Sequence, residues 1–194
     1  MSMQVFSVSG SNQQMLTYLE LCICHILKLR SVLPESSFYN ENYLEMVVSK
    51  LSDSFDKNFL DDAISVLRGW IQSKHVHCIE LILYESLNES IVEKWDFSLD
   101  YTDKQVSIRN TENSISAAFK DIELKTQLCM LQLPSKLSYD IIFKVNESAT
   151  LEKSLKQTTV MDNSTSDLTE VPFGNIITSS HTLKQSCFTA MDTQ

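Results

Sequence analysis

From Met15 to Leu29 the apolar residues Leu16, Leu19, Ile23, Ile26 and Leu27 recur at helical spacing, and Leu21 and Cys24 add apolar surface on the remaining sides. That pattern predicts a helix enclosed on several faces. Ser11 or Asn12 is placed to cap its N-terminus, and Pro34, which disfavours helical geometry at Leu33, requires it to end first. A second helix is predicted over Asn58–Ser73, with Leu60, Ala63, Ile64, Leu67 and Ile71 on one face. Asp61 and Asp62 stand at its opening, where negative charge suits the positive end of the helix dipole.

The period then changes from helical to alternating. Val76–Glu85 and Ile91–Tyr101 flank a turn-prone Ser-Leu-Asn-Glu-Ser, and in the latter Ile91, Glu93, Trp95, Phe97, Leu99 and Tyr101 oppose Val92, Lys94, Asp96, Ser98 and Asp100. Such alternation predicts a hairpin with one buried and one wet face. A third helix is predicted over Ser114–Cys129, with Ile115, Ala118, Phe119 and Ile122 in register. Leu137–Val145 alternates again and reads as a strand at a sheet edge. From Asn146 to Glu170 apolar residues are too sparse to build a core. Runs of unlike elements around an antiparallel hairpin predict one α+β domain, an antiparallel sheet packed against about three helices, with a C-terminal arm over residues 146–194.

Composition narrows the class of partner. With 194 residues, a net charge of −9 and a pI near 4.9, the chain has no electrostatic footprint for nucleic acid or anionic lipid. Cys22, Cys24, Cys78, Cys129 and Cys187 are odd in number and mostly set in apolar runs, which points to reduced core thiols. The opening Met-Ser-Met-Gln-Val-Phe-Ser lacks the basic-then-apolar order of a signal peptide, and no uncharged apolar run is long enough to span a bilayer. The expectation is a protein that is neither secreted nor membrane-bound.

Catalytic constellations are not assembled. Cys22 and Cys24, two apart on a helix, point in different directions and read as packing. His75 and His77 share the start of a strand without a neighbouring ligand to complete a zinc set. Gly10, Gly69 and Gly174 are the only glycines, too few for a phosphate-cradling loop. Trp70 and Trp95 read as core aromatics. No catalytic residue, metal or cofactor is implied.

Specific residues carry a resemblance. Phe6–Phe38, with Gly10-Ser11, an apolar helix ending in Ile-Leu-Lys-Leu-Arg and then Val-Leu-Pro-Glu-Ser-Ser-Phe, is similar to the opening of HORMA-domain proteins, where Arg-Gly-x-Tyr-Pro-x-x-x-Phe stands at the same place. The similarity continues through Leu-Arg-Gly-Trp-Ile around Trp70, Glu-Lys-Trp-Asp-Phe around Trp95, Ala-Ala-Phe-Lys-Asp-Ile, Leu137–Val145 and Asn175–Ala190. It covers almost the whole chain in order and lies closest to the family's spindle-checkpoint branch.

The resemblance implies a short strand before Gly10, no enzymatic activity, and capture of a short extended peptide, the closure motif, by strand addition. The contact stretch would be Ser138, Tyr139, Asp140, Ile141, Ile142, Phe143 and Lys144. A C-terminal seat belt would wrap over the peptide and join the sheet through Val171, Phe173, Ile176, Ile177, Leu183 and Phe188, with open and closed packings acting as a switch. Lys120 stands where the branch carries an arginine used to pair open and closed copies, and Tyr139 where it carries a phenylalanine at the same surface. Phe173 follows Val171-Pro172 where the family usually has a tryptophan, and the chain ends before a further β segment of the family. Implied partners are closure motifs in a coiled-coil receptor at unattached kinetochores and in the activator of the anaphase-promoting complex, with residence in nucleus and cytoplasm. A sibling role, as accessory subunit of a translesion polymerase or as a meiotic axis protein, fits the same residues.

Overall fold

The computed structural model describes residues 3–102, 106–147 and 168–189, with side chains from Asn12 onward. Most of the arm predicted from Asn146 therefore lies outside the described residues, as does the side chain of Cys129. The elements are helix α1 (Met3–Leu29), a 3-10 turn (Glu35–Ser37), strands β1 (Phe38–Tyr43) and β2 (Met46–Leu51), helix α2 (Phe55–Gln72), strands β3 (Val76–Glu85) and β4 (Ile91–Tyr101), helix α3 (Ile108–Cys129), and strands β5 (Leu137–Val145), β6 (Thr169–Ile177) and β7 (His181–Thr189). This is the α+β architecture the sequence predicts, three helices with an antiparallel sheet.

A five-stranded antiparallel sheet, in the order β5-β3-β4-β7-β6, carries the helices on one face. At the centre runs α1, buried at Met15, Leu16, Tyr18, Leu19, Leu21, Cys22, Ile23, Cys24, Ile26 and Leu27. Its enclosure follows from contact with α2, α3 and β2 at once. From the sheet, Ile79, Leu81, Leu83, Trp95, Phe97, Leu99, Leu183 and Cys187 complete the core.

Three helix starts depart from the sequence reading. Helix α1 begins at Met3, so no strand precedes Gly10, and Ser11 and Asn12 lie inside the helix rather than at its cap. An interior glycine costs only about 1 kcal/mol, which a long helix tolerates once nucleated. Helix α2 begins at Phe55, capped by Ser54, whose hydroxyl accepts the Lys57 amide. Asp56, not Asp61 or Asp62, therefore supplies the first-turn charge, and Asp61 instead pairs with Lys57 one turn back. Helix α3 likewise starts earlier, at Ile108, capped by Ser107.

The β1–β2 hairpin has no counterpart in the sequence reading. It turns on Leu44 and Glu45, both with positive φ (48° and 62°), a conformation usually signalled by Asn-Gly or Asp-Gly. Without that signal the segment reads as a loop.

Candidate functional site

Strand β5 is an edge. It pairs with β3 from Val145 to Leu137, and no described strand lies beyond it. Period-two geometry turns Tyr139 and Phe143 toward α2, where Tyr139 meets Phe59 edge-on at 5.9 Å and gives its hydroxyl proton to Asp56 at 3.0 Å. Phe143 meets Trp70 edge-on at 5.6 Å. Burial, with Asp56 adding to it, pushes the Tyr139 phenol up. The other face carries Ser138, bonded to Ser86 at 2.9 Å, and Lys144, paired with the buried Glu80 at 2.7 Å. The seven residues of the predicted contact stretch thus form a backbone edge without a described partner strand, with an aromatic wall on one side and charges on the other.

At the far side of the sheet, β7 lies along β4 from Glu93↔Thr189 to Tyr101↔His181, and β6 lies outside β7. Of the predicted belt residues, Val171, Phe173, Ile176 and Leu183 are buried, Phe188 is half-buried under Lys94, and Ile177 is exposed. Phe173 stacks on Trp95, with ring centroids 5.0 Å apart and planes 26° apart. Both predicted core tryptophans are buried against aromatics of these strands, Trp70 against Phe143 of β5 and Trp95 against Phe173 of β6.

Strand β6 would expose its own outer edge, and α3 closes it. A bulge between Phe173 and Ile176 frees backbone groups from the ladder. The Gly174 amide donates to Asp121 Oδ2 at 3.0 Å, and Lys125 Nζ donates to the Pro172 carbonyl at 2.6 Å and to Asp121 at 2.9 Å. Thr111 Oγ1 donates to the Ile177 carbonyl at 3.1 Å, while Ser114 Oγ accepts the Ile177 amide at 3.4 Å. Pro172 has no amide to satisfy, the usual solution for an edge. Sequence reasoning passed over these α3 side chains because nothing in helical periodicity marks a residue that caps a distant strand.

Polar groups on the inner face of β7 fix its register. Gln185 receives the Tyr18 hydroxyl proton and donates to the Gly174 carbonyl at 2.6 Å. His181, buried against Tyr101 and Thr178, is lowered to about 4 by burial and, secondarily, by Lys74. Thr189 donates to Glu93 Oε2 at 3.2 Å. Glu93 is fully buried and is held by Arg30 at 2.7 Å and by the Trp95 indole N–H at 2.6 Å. Burial raises its carboxyl, and Arg30 opposes that rise. Arg30 also donates to the Leu131 carbonyl at 2.8 Å, tying the end of α1 to the segment after α3.

Other predicted residues fall elsewhere. Lys120 is exposed on α3, which packs on β6, whereas Tyr139 packs on α2 at the opposite edge, so the structure does not bring the two together. Cys22 and Cys24 are buried in α1, and burial pushes both thiols up to about 12. His75 sits just before β3, its Nδ1 3.0 Å from Ser73 Oγ, and His77 is exposed. Ligand atoms of Cys78, Glu80 and Asp96 lie within 4.8 Å of one another, yet Lys94 and Lys144 already meet the carboxylates. Among the described residues no helix is long and apolar enough to cross a membrane.

Comparison with known proteins decides the family. The family model described as the HORMA domain matches residues 11–185. The chain belongs to the HORMA-domain family. Among curated proteins, this HORMA chain is 25% identical over 114 residues to a mitotic spindle checkpoint protein MAD2 of Arabidopsis thaliana, covering 59% of this chain and 53% of the relative. It is 25% identical over 138 residues to the protein of the same name in Zea mays, covering 71% and 65%. The match thus spans between half and two thirds of the relatives' length. Among solved structures, a chain of the mitotic checkpoint complex superposes with a TM-score of 0.86 at 16% identity, over 93% of this chain and 98% of that one. HTP-2 of C. elegans bound to the HIM-3 closure motif superposes with a TM-score of 0.79 at 11% identity, over 92% and 90%.

Proposed function

We propose that this HORMA chain is a non-enzymatic adaptor of the mitotic spindle checkpoint that captures closure-motif peptides at β5. The observation that carries the reading is the sheet order: β6 and β7 occupy the β4 side, and no described strand pairs with the outer edge of β5. An extended peptide added there takes main-chain hydrogen bonds from β5 and places alternate side chains against the α2 aromatics. Val145 ends at one edge of the described sheet and Thr169 begins at the other, with residues 146–168 linking them. These 23 residues reach up to about 80 Å when extended, ample to run outside a guest strand as a seat belt.

The partners in this reading are closure motifs of a coiled-coil receptor at unattached kinetochores and of the activator of the anaphase-promoting complex, whose capture delays anaphase. Pairing of open and closed copies is assigned to α3, where Lys120 is followed one and two turns on by the exposed Leu124 and Leu128. The likeness to HTP-2 bound to a closure motif supports a second reading, a sibling HORMA adaptor using the same edge for a different peptide.

The test is binding of the purified chain to a fluorescent checkpoint closure-motif peptide, with proteolysis after Asn146 followed in parallel. Tight, slowly dissociating binding that protects the segment supports the checkpoint reading. A folded chain that ignores this peptide but binds the proline-containing motif of a translesion polymerase supports the sibling. Binding to neither overturns both.

A further inference from the structure

The solvent-facing side of β5 is unevenly committed. Lys144 is tied to Glu80, and Ser138 to Ser86. Lys94, the nearest cation of the inner strands on this face, bridges Glu80 and Asp96. Asp140 differs: it is the exposed residue of β5, lies opposite Ile82 on β3, and its described neighbour is the phenol of Tyr84. On the helix-facing side its neighbours Tyr139 and Ile141 are half-buried against the core. A guest strand beside β5 therefore meets an apolar, an acidic and an apolar position in succession.

We propose that Asp140 is a specificity-determining residue, selecting a lysine or arginine at the guest position directly opposite it, between two apolar residues that face α2. The proposal rests on the peptide-capture reading above. Directly opposed residues place their Cβ atoms about 4.5–5.5 Å apart whether the guest runs parallel or antiparallel, within reach of either basic side chain. An acidic guest residue at that position meets like charge and is disfavoured, which gives discrimination beyond fit.

The test uses random dodecapeptides displayed on phage, selected on the full 194-residue chain and on Asp140→Lys. Because Asp140 is exposed, the variant keeps its fold, which a matched thermal melt verifies. The expected outcome on the wild type is a basic position flanked on both sides by apolar ones, and on Asp140→Lys an acidic residue at that same position. Replacing the basic residue of one selected peptide by glutamate weakens binding to the wild type by about fivefold, as a solvated charge pair does, and strengthens binding to Asp140→Lys. The same basic preference on both proteins, or no charge preference on the wild type, overturns the role of Asp140 while leaving capture at β5 intact. Selection of no peptide at all by the folded wild type overturns the capture reading and this proposal with it.

Discussion

Phe173 of β6 stacks on Trp95 of β4, with centroids 5.0 Å apart, and so ties the outermost C-terminal strand to the core hairpin across the intervening β7. Phe173→Ala removes a buried ring and leaves a cavity above Trp95, at a cost of about 3–4 kcal/mol. The expected signature is a lower denaturant midpoint together with a red-shifted tryptophan emission. An unchanged emission would mean that Trp95 does not depend on Phe173 for its cover.

Arg30 and Glu93 are both buried, so their pairing is asymmetric under mutation. Arg30→Ala strands the Glu93 carboxylate and is expected to cost about 3–5 kcal/mol, whereas the double change Arg30→Met with Glu93→Leu costs less, its remaining loss coming from the Trp95 indole and Thr189 hydroxyl left without their acceptor. Urea denaturation of the three proteins checks this. Equal losses in the single and double variants would refute it.

The α3 side chains that close β6 predict a local effect. Asp121→Ala leaves the Gly174 amide without its partner and leaves Lys125 with the Pro172 carbonyl alone, for a loss of about 1–2 kcal/mol concentrated in β6. Hydrogen exchange should quicken at Gly174 while amides of β3 are unmoved. Gly174→Ala is the contrasting case, since an added Cβ meets Ala118 Cα at 3.8 Å and Asp121 at 4.0 Å, ordinary contacts that predict a change within about 1 kcal/mol.

His181 predicts a pH dependence. Its folded value of about 4 lies below the ordinary 6.5, so the unfolded chain binds a proton more readily than the folded one. The stability linked to this group is full above pH 6.5 and is lost as pH falls from 6.5 toward 4, by up to about 3 kcal/mol. Subtracting the profile of His181→Asn from that of the wild type isolates the effect from the carboxylates. A flat difference would show that His181 stays solvated.

Alternation made the β3–β4 hairpin and β5 legible, down to which residues face the helices, because period two has no rival where Val, Ile, Trp and Phe supply it. The apolar residues of β6 and β7 were placed on the sheet by the family resemblance and not by alternation, which read the segment only as an arm. Glu93 was placed on the buried face by that alternation, but its partner Arg30 lies 63 residues away and no local pattern connects them. The β1–β2 hairpin was hidden by its Leu44-Glu45 turn, and the starts of α2 and α3 by polar first turns whose capping serines look like loop. Long-range polar contacts, among them Asp121 with Gly174 and Tyr18 with Gln185, exist only once the chain is folded.

The closure of β6 by α3 also sets a stoichiometry. With that end closed by α3, β5 is the remaining edge of the described sheet, so under the proposed capture each chain would take one guest strand there and two chains joined edge to edge would leave none. Chains cannot stack through β6, whose outer edge is already occupied by Asp121, Lys125 and Thr111 of α3.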